Sequence, residues 1–342
     1  LALFAQALHD AGVEVNLGQV LDLGHEGACG GGGRQSASML AALRAPERLA
    51  MNPAQALARS HFRHLERLRV RWAEVDLQQI VFNGHYLMYF DTAVAGYWRA
   101  LALPYQATMQ ALGGDLYVRK ATLEYEGSAR YDEQLEVGVR CARIGNSSML
   151  LQAAVFRGEQ RLVHGDLVYV FADPSSQTAR PVPPPLREIL SGFEAGDAMT
   201  RVRCGDWATL GSDARAIRDA VFIQEQGIPA ALEHDAADAQ ALHAVAFNRL
   251  GAALGTGRLL TASPGVAKIG RMAVSAAVRG AGVGRPLLDV LVAAARARGD
   301  AEVMLHAQAS AVGFYLRAGF APRGAAFDEA GIAHQEMVLS LR

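Results

Sequence analysis

An acidic residue stands in a short turn between an apolar stretch and a helical pattern. Residues 71–90 read RWAEVDLQQIVFNGHYLMYF, with Asp76 in the turn and Asn83 and His85 close to the predicted helix start. The free N–H groups and the dipole of a helix start stabilise negative charge on a carbonyl oxygen under attack. A carboxylate there can attack the carbonyl carbon or deprotonate water. The alternative is that Asp76 only caps a turn, which is the commoner role of a lone Asp before a helix.

A glycine-rich loop between an apolar strand and a helix is the second candidate site. Within residues 268–299, Gly280, Gly282 and Gly284 let backbone amides approach an anion closely. The following helix has Pro286 in its first turn, where a missing N–H costs little, and a helix start favours bound pyrophosphate. Such loops are as often simple packing turns, so the loop alone does not decide between the two interpretations.

The pattern around Asp76 predicts one central helix against an antiparallel sheet. Apolar residues recur every three or four positions from Tyr86 to Leu101, which indicates a helix with a broad buried face. Four segments rich in Val, Leu and Tyr follow, separated by turn-prone residues: LYVRKATLEYEG, QLEVGVRCARIG, SSMLLQAAVFRG and RLVHGDLVYVFA. With the strand before the helix, they predict an α+β fold in which the sheet wraps the helix.

Residues 67–173 resemble the hotdog-fold acyl-CoA thioesterases of the 4-hydroxybenzoyl-CoA thioesterase family. The resemblance rests on R-W-A-E-V-D-L-Q-Q-I-V-F-N-G-H-Y and on L-Y-V-R-K-A-T-L-E-Y. It implies that Asp76 is the catalytic nucleophile or general base and that the backbone N–H of Asn83 polarises the thioester carbonyl. Asn83 and His85 can also orient substrate or water, although a His near a helix start more often has a structural role. Many relatives carry a glycine soon after the aspartate, where this chain has Gln-Gln at 78–79, so loop shape and acyl preference stay open.

A stiff, proline-rich segment separates this unit from a second one. Residues 181–185 contain four prolines, which favour an extended path, and a short helix follows. Beyond them the pattern changes to a mixed α/β order: strand, helix, three strands, helix, strand, helix, strand. We therefore predict four parts: a poorly ordered extension at 1–60, a first domain at 61–180, a linker at 181–198 and a second domain at 199–342.

Residues from about 200 to 342 resemble the GNAT superfamily of acetyl-CoA-dependent N-acetyltransferases. The motifs are R-x-x-G-x-G at 279–284 and F-Y-x-x-x-G-F at 314–320, supported by V-F-I-Q-E-Q-G-I-P, G-T-G-R-L and L-H-A-Q. The resemblance implies that Tyr315 is the general acid that protonates the departing CoA thiolate; a packing role on a core-facing helix is the alternative. It also implies that CoA is held by the loop and its surroundings: Val274, Arg279, Gly280, Gly282, Val283, Gly284 and Arg285.

The sequence does not identify the group that deprotonates the amine. The candidates are Glu225, His243 and His306. The stretch ALEHDAADAQALH at 231–243 concentrates acidic residues and histidines. Its spacing matches neither a zinc nor a calcium site, so we interpret it as a solvated acidic loop and predict no bound metal.

Composition favours a soluble, cytoplasmic, two-domain protein. The 342 residues are 51% hydrophobic, and a net charge of −1 gives no field that would recruit nucleic acid or anionic lipid. Cys29, Cys141 and Cys204 show no disulfide or metal spacing, and no stretch approaches the roughly 20 apolar residues that span a bilayer. The glycines at 30–33 precede Arg-Gln-Ser rather than Lys-Ser/Thr, which argues against a P-loop and favours a flexible linker. A Met at position 51 raises the hypothesis that the extension lies outside the functional core.

Two modules for CoA thioesters on one chain predict a bifunctional enzyme that hydrolyses acyl-CoA and transfers acetyl groups from acetyl-CoA to an unidentified amine. The alternative is that one module binds CoA esters without turnover, as a sensor or dimerisation element. Hotdog sites usually form between two protomers, so the resemblance implies a homodimer or homotetramer assembled through the first domain.

Overall fold

The computed structural model describes residues 57–341, so the predicted extension lies almost entirely outside the described residues. These residues form a five-stranded sheet followed by a seven-stranded sheet. Among them, no helix is both long and apolar enough to cross a membrane.

The first domain is an antiparallel sheet wrapped round one long helix, as the sequence predicts. Its elements are β1 His64–Arg69, α1 His85–Ala100, α2 Tyr105–Leu112, β2 Asp115–Tyr125, β3 Gln134–Ile144, β4 Ser148–Arg157 and β5 Gln160–Ala172. The strand order is β1-β3-β4-β5-β2. Tyr86, Phe90 and Tyr97 of α1 are buried in the core, on the face that the apolar periodicity predicts. Gly96 allows α1 to lie close to β1, because an added Cβ would come within 2.0 Å of a Glu66 carboxylate oxygen.

Strand β2 is an edge strand, paired with β5 on one side and with no described strand on the other. Much of it is exposed, including the large side chains Tyr117, Val118 and Tyr125. A long edge with exposed apolar side chains is a template for pairing with another strand.

A helix in the proline-rich segment, α3 Pro184–Ala195, packs on the first domain. The Glu194 carboxylate accepts hydrogen bonds from the Tyr97 hydroxyl at 2.5 Å and from the backbone N–H of Cys141 at 2.8 Å. Phe193 packs edge-on against Tyr97, with ring centroids 5.3 Å apart. The segment is thus fixed to the sheet and the central helix.

The second domain has helices on a mixed sheet. Its strands are β6 Thr200–Gly205, β7 Leu242–Asn248, β8 Ala253–Ser263, β9 Val266–Val274, β10 Glu302–Gln308, β11 Ala321–Glu329 and β12 Ile332–Ser340. Its helices are α4 Trp207–Arg218, α5 Ala230–Glu233, α6 Gly284–Arg298 and α7 Val312–Arg317, with a π-helical continuation of α4 at Asp219–Glu225. The strand order is β11-β12-β10-β9-β8-β7-β6.

The parallel pair β9 and β10 separates partway along its length. Their ladder covers four residue pairs and ends at Ile269 and Leu305, although both strands continue. Arg271 has a φ of 53°, which kinks β9 just beyond the ladder. The unpaired strand ends leave backbone N–H and C=O groups available along a cleft.

The two domains touch at the carboxyl end of α1. Buried Asn248 donates a hydrogen bond from Nδ2 to the carbonyl oxygen of Ala102 at 3.2 Å. The 3₁₀ turn Ala276–Val278, just before the glycine-rich loop, also contacts α1.

Candidate functional sites

Asp76 lies at the tip of a small hairpin that precedes α1. Val75 bridges to Val81, and the N–H of Asp76 donates to the carbonyl oxygen of Ile80 at 2.9 Å. The Asp76 carboxylate is half-buried and accepts from the N–H of Gln78 at 2.8 Å. Gln79 has a φ of 60°, so it occupies the left-handed turn position that a glycine adopts most readily. The turn is therefore still tight, although this chain has Gln-Gln at 78–79 where many relatives carry a glycine.

Glu74, which the sequence analysis missed, lies buried beneath this hairpin. Its carboxylate accepts from the Tyr89 hydroxyl at 2.7 Å, from the Arg71 N–H at 2.8 Å and from Arg71 Nε at 2.6 Å. Burial alone would raise the pKa of Glu74, but these hydrogen bonds and the Arg71 charge outweigh it and lower that pKa. The carbonyl oxygen of Glu74 accepts from the N–H of Phe82 at 2.9 Å, so this residue joins both arms of the hairpin to α1.

The start of α1 presents free backbone donors. In the described part of the chain, the N–H groups of Asn83 and Gly84 have no hydrogen-bond acceptor, whereas the Asn83 carbonyl oxygen accepts from the Tyr125 hydroxyl at 3.2 Å. His85 Nδ1 lies 3.3 Å from Met88 Sδ, a contact within its own helix. The hairpin therefore leads directly from the carboxylate into the free N–H groups, and His85 makes no described contact with Asp76.

Large apolar side chains surround this hairpin and remain exposed: Trp72, Leu77, Phe82, Met88, Tyr125 and Tyr131. A cavity of about 770 Å³ lies farther along α1, between α1, α2, β2 and the second domain. Val94, Trp98, Leu116 and Tyr169 give it apolar walls, and Ala277 is its lining residue from the second domain. Its volume is in the range of small-molecule sites.

In the second domain the glycine-rich loop forms a cluster of free N–H groups. Gly280 and Gly282 have φ angles of 86° and 80°, and an added Cβ at either would meet no atom within 4 Å. Within the described residues, the N–H groups of Gly280, Gly282 and Val283 have no acceptor. Gly284 begins α6, so these donors stand at a helix start, an arrangement suited to phosphate.

Both arginines of the predicted CoA site pair with carboxylates. Arg279 binds Glu225 through both terminal nitrogens, at 2.5 and 2.7 Å, and its Nε donates to the Val274 carbonyl oxygen at 3.0 Å. Arg285 binds Asp289 one turn along α6 at 2.8 Å. Both guanidinium groups are thus paired with carboxylates, whereas the loop N–H groups of Gly280, Gly282 and Val283 have no acceptor among the described residues.

Tyr315 and His306 line a second cavity, of about 470 Å³, beside the separated strands. Tyr315 is 7% exposed, and burial raises its pKa to about 12. The phenol therefore stays protonated at neutral pH and can donate a proton.

The cavity distinguishes the three candidate bases. Glu225 is held by Arg279, and that hydrogen bond lowers its pKa, while His243 is buried with Nε2 2.9 Å from the Asp238 carbonyl oxygen. Burial lowers the pKa of His243, whose ring lies tilted against that of Trp207 with centroids 4.8 Å apart. Of the three, His306 is the one whose side chain lines the cavity.

The interpretation of residues 231–243 as a solvated acidic loop is wrong. Glu233 and Asp238 are 2% and 4% exposed, because arginines from three other elements pair with them. Arg218 binds both carboxylates, Arg258 binds Asp235 and Asp238, and Arg271 binds Glu233 and Asp235. Within residues 57–341, no group of three His, Cys, Asp or Glu side chains is placed to hold a metal ion.

Comparison with known proteins matches each domain to a separate family. The acetyltransferase (GNAT) domain model matches residues 208–341, and the thioesterase superfamily model matches residues 78–164. The chain is 34% identical over 127 residues to the uncharacterized N-acetyltransferase YjcF of Bacillus subtilis, covering 37% of this chain and 89% of that protein. It is 26% identical over 128 residues to the acyl-CoA thioester hydrolase YbgC of Escherichia coli, covering 37% of this chain and 92% of that protein.

Among solved structures, the PA5185 protein of Pseudomonas aeruginosa is 28% identical, with a TM-score of 0.36; the match covers 41% of this chain and 98% of that one. The sequence-based resemblances and the predicted α+β fold class are confirmed by the family matches. The chain thus belongs to the GNAT acetyltransferase family through its second domain, and its first domain is a hotdog domain similar to the thioesterase superfamily.

Proposed function

We propose that the first domain hydrolyses acyl-CoA thioesters with Asp76 as nucleophile or general base, and that the second transfers acetyl from acetyl-CoA to an amine with Tyr315 as general acid. The proposal rests above all on the hairpin that joins the Asp76 carboxylate to the free N–H groups at the start of α1. Residues 61–180 and 199–342 are the proposed extents of the two catalytic domains.

The hydrolytic chemistry needs a carboxylate and an oxyanion site. Asn83 N–H, at the positive end of the α1 dipole, is suited to hold the charge that grows on the thioester oxygen. Asp76 either attacks the carbonyl carbon to give a mixed anhydride, or removes a proton from the attacking water. The apolar cavity along α1 supports an apolar acyl group, with chain length unassigned.

The transfer chemistry needs a phosphate cradle and an acid. The free N–H groups at 280–283 are suited to the CoA pyrophosphate. The cleft between β9 and β10 leads a pantetheine arm past unpaired backbone groups, and Tyr315 protonates the departing thiolate. No metal is part of the proposal.

The first domain is the proposed assembly surface. Strand β2 offers an unpaired edge, and the exposed apolar side chains beside Asp76 would be covered by a second copy. We expect a homodimer, or a dimer of such dimers, by sedimentation. A monomer at micromolar concentration would contradict this expectation.

The test is release of CoA thiol from a panel of acyl-CoAs without any amine, for the unaltered chain, Asp76→Asn and Asp173→Asn. Asp173 is the matched control, because its carboxylate accepts an N–H two residues ahead at 2.9 Å, as that of Asp76 does at 2.8 Å. We expect Asp76→Asn to lose at least about 10²-fold in kcat/KM and Asp173→Asn to retain activity.

Equal turnover by Asp76→Asn and the unaltered chain would refute the role of Asp76. Saturable acyl-CoA binding with no thiol release from the unaltered chain would instead favour the alternative, in which the first domain is a binding or dimerisation module.

A further inference from the structure

The cavity beside Tyr315 opens where the β9–β10 ladder ends. Gly270 and His306 are the residues that directly follow the last pair, Ile269 and Leu305. Side chains alternate across the sheet, so Gly270 and His306 lie on the face opposite to the buried Ile269 and Leu305, and both residues line the cavity. His306 therefore stands at the point where the cleft for the CoA arm begins.

An acidic side chain orients the imidazole of His306. His306 Nδ1 lies 3.0 Å from Glu329 Oε2, across the β11–β12 hairpin, while Nε2 is 3.9 Å from Glu336 Oε2, too far for a hydrogen bond. Burial alone would raise the pKa of Glu329, but the hydrogen bond from His306 and the charges of His306, His334 and Lys268 together outweigh it and lower that pKa. An ionised Glu329 accepts the Nδ1 proton, so Nε2 carries the lone pair.

Further charged and aromatic side chains lie around His306. Arg323 binds Glu336 and Glu302, and Phe327 packs edge-on against the His306 ring with centroids 4.9 Å apart. The titratable and charged side chains that pair with His306 or line the same cavity are Lys268 and Arg271 of β9, Arg258 of β8, Glu233 of α5, Tyr315 of α7, Glu329 of β11, and Glu336 and His334 of β12, with Arg323 of β11 bound to Glu336.

The cavity has room for a ligand at Gly270. An added Cβ there would meet no atom within 4 Å, and Gly270 is absent from the positive-φ glycines. The segment 228–233 borders one side of the cavity and is held by the arginine–carboxylate pairs, while the β11–β12 hairpin borders another. A volume of about 470 Å³ between these borders suits a small molecule.

We propose that His306, oriented by Glu329, is the general base that deprotonates a small primary ammonium bound over Gly270. The inference rests on the proposed acetyl transfer and names its base and its class of acceptor. Glu329 and Glu336 favour a cation beside His306, and Glu329 acts as a positioning residue.

His306 Nε2 takes one proton from R–NH₃⁺, and the amine lone pair forms a C–N bond to the acetyl carbonyl carbon. The C–S bond breaks, Tyr315 gives its proton to the CoA thiolate, and the second proton of the nitrogen returns to Tyr315 through water. The products are the N-acetyl amine, CoA thiol and one proton on His306.

The test compares His306→Asn with His234→Asn on the full chain. His234 is the matched control, because its Nε2 lies 3.0 Å from an Asp219 oxygen and its side chain is 28% exposed, against 3.0 Å and 26% for His306. The probes are benzylamine, tyramine, glucosamine and a lysine-containing tetrapeptide, with acetyl-CoA. We expect His306→Asn to lose about 10²-fold in kcat/KM at pH 7 with unchanged acetyl-CoA affinity.

The pH dependence separates a base from a structural residue. The loss in kcat/KM caused by His306→Asn should become smaller as the pH approaches the pKa of the amine. At that pH much of the amine is already deprotonated in solution and needs no base. A constant deficit at every pH, or transfer equal to that of the unaltered chain, would overturn the assignment of His306 alone. Absence of transfer by the unaltered chain to every probe would overturn the proposed acetyl transfer and this inference together.

A second variant tests the acceptor class without removing a polar group. Gly270→Val should raise KM for the small amines about tenfold or more, about 1.4 kcal/mol in binding, with unchanged melting temperature and acetyl-CoA affinity. Unchanged KM would contradict binding over Gly270. Faster acetylation of the tetrapeptide than of every small amine would contradict the small-molecule class.

Discussion

Asn248 of the acetyltransferase domain donates its side-chain amide to the carbonyl oxygen of Ala102, just beyond α1 of the thioesterase domain. Its Oδ1 also accepts from the N–H groups of Leu250 and Ala252, at 3.0 and 2.9 Å. One buried amide thus shapes the β7–β8 turn and joins the two domains.

Replacing Asn248 by Ala removes the side-chain partner of three backbone groups: the carbonyl of buried Ala102 and the N–H groups of half-buried Leu250 and exposed Ala252. We expect the free energy of unfolding to fall by about 1–3 kcal/mol, measured by urea denaturation. Asn146→Ala, at an exposed position, should change it by less than about 0.5 kcal/mol. Equal stability of the two variants would show that Asn248 contributes nothing to the junction.

Glu74 should make the stability of the thioesterase domain depend on pH. The folded pKa lies below its ordinary value of 4.5, so the ionised group stabilises the fold above about pH 4.5, and this contribution is lost as the pH falls through the lowered value. Glu74→Gln should therefore melt below the unaltered chain at pH 7, and the gap should narrow towards about pH 3. Glu159→Gln, on a side chain that is 84% exposed, is the control. A gap that is constant with pH would contradict the prediction.

Gly282 adopts a φ that a β-branched residue tolerates poorly, in the loop proposed to bind pyrophosphate. Gly282→Val should raise the Kd for acetyl-CoA at least about tenfold, about 1.4 kcal/mol, by calorimetry. Gly265→Val imposes similar strain at a φ of 76° in the β8–β9 turn, outside that loop, and should bind acetyl-CoA normally. Equal loss in both variants would indicate general destabilisation.

Tyr315→Phe removes one hydroxyl that has no hydrogen-bond partner among the described residues, while the ring still packs against Phe320. We expect transfer to fall about 10²-fold with an unchanged melting temperature. Because burial raises the pKa of Tyr315 to about 12, the group stays protonated as an acid at every pH normally assayed. A rate equal to that of the unaltered chain would leave Tyr315 with a packing role.

The sequence allowed the strongly periodic elements to be predicted, since α1, β3, β4 and α6 combine buried faces with clear turns. It did not allow β11 to be predicted, because the strand is exposed throughout and mixes proline, glycine and charge. Glu329, which binds His306, was missed with it. The acidic loop was misread because its ion-pair partners, Arg218 and Arg271, come from other elements of the chain. Pairings of that kind leave no local sequence pattern.

The central helix lies against both of the loops that are proposed to bind thioesters. α1 begins just after Asn83, and it also contacts the Ala276–Val278 turn that leads into the glycine-rich loop. Its 16 residues make a rod about 24 Å long. If acetyl-CoA on the loop alters the affinity for acyl-CoA at Asn83, thermodynamic reciprocity requires acyl-CoA to alter acetyl-CoA affinity by the same factor. Because α1 contacts both proposed sites, it is the element through which a coupling of this kind would run.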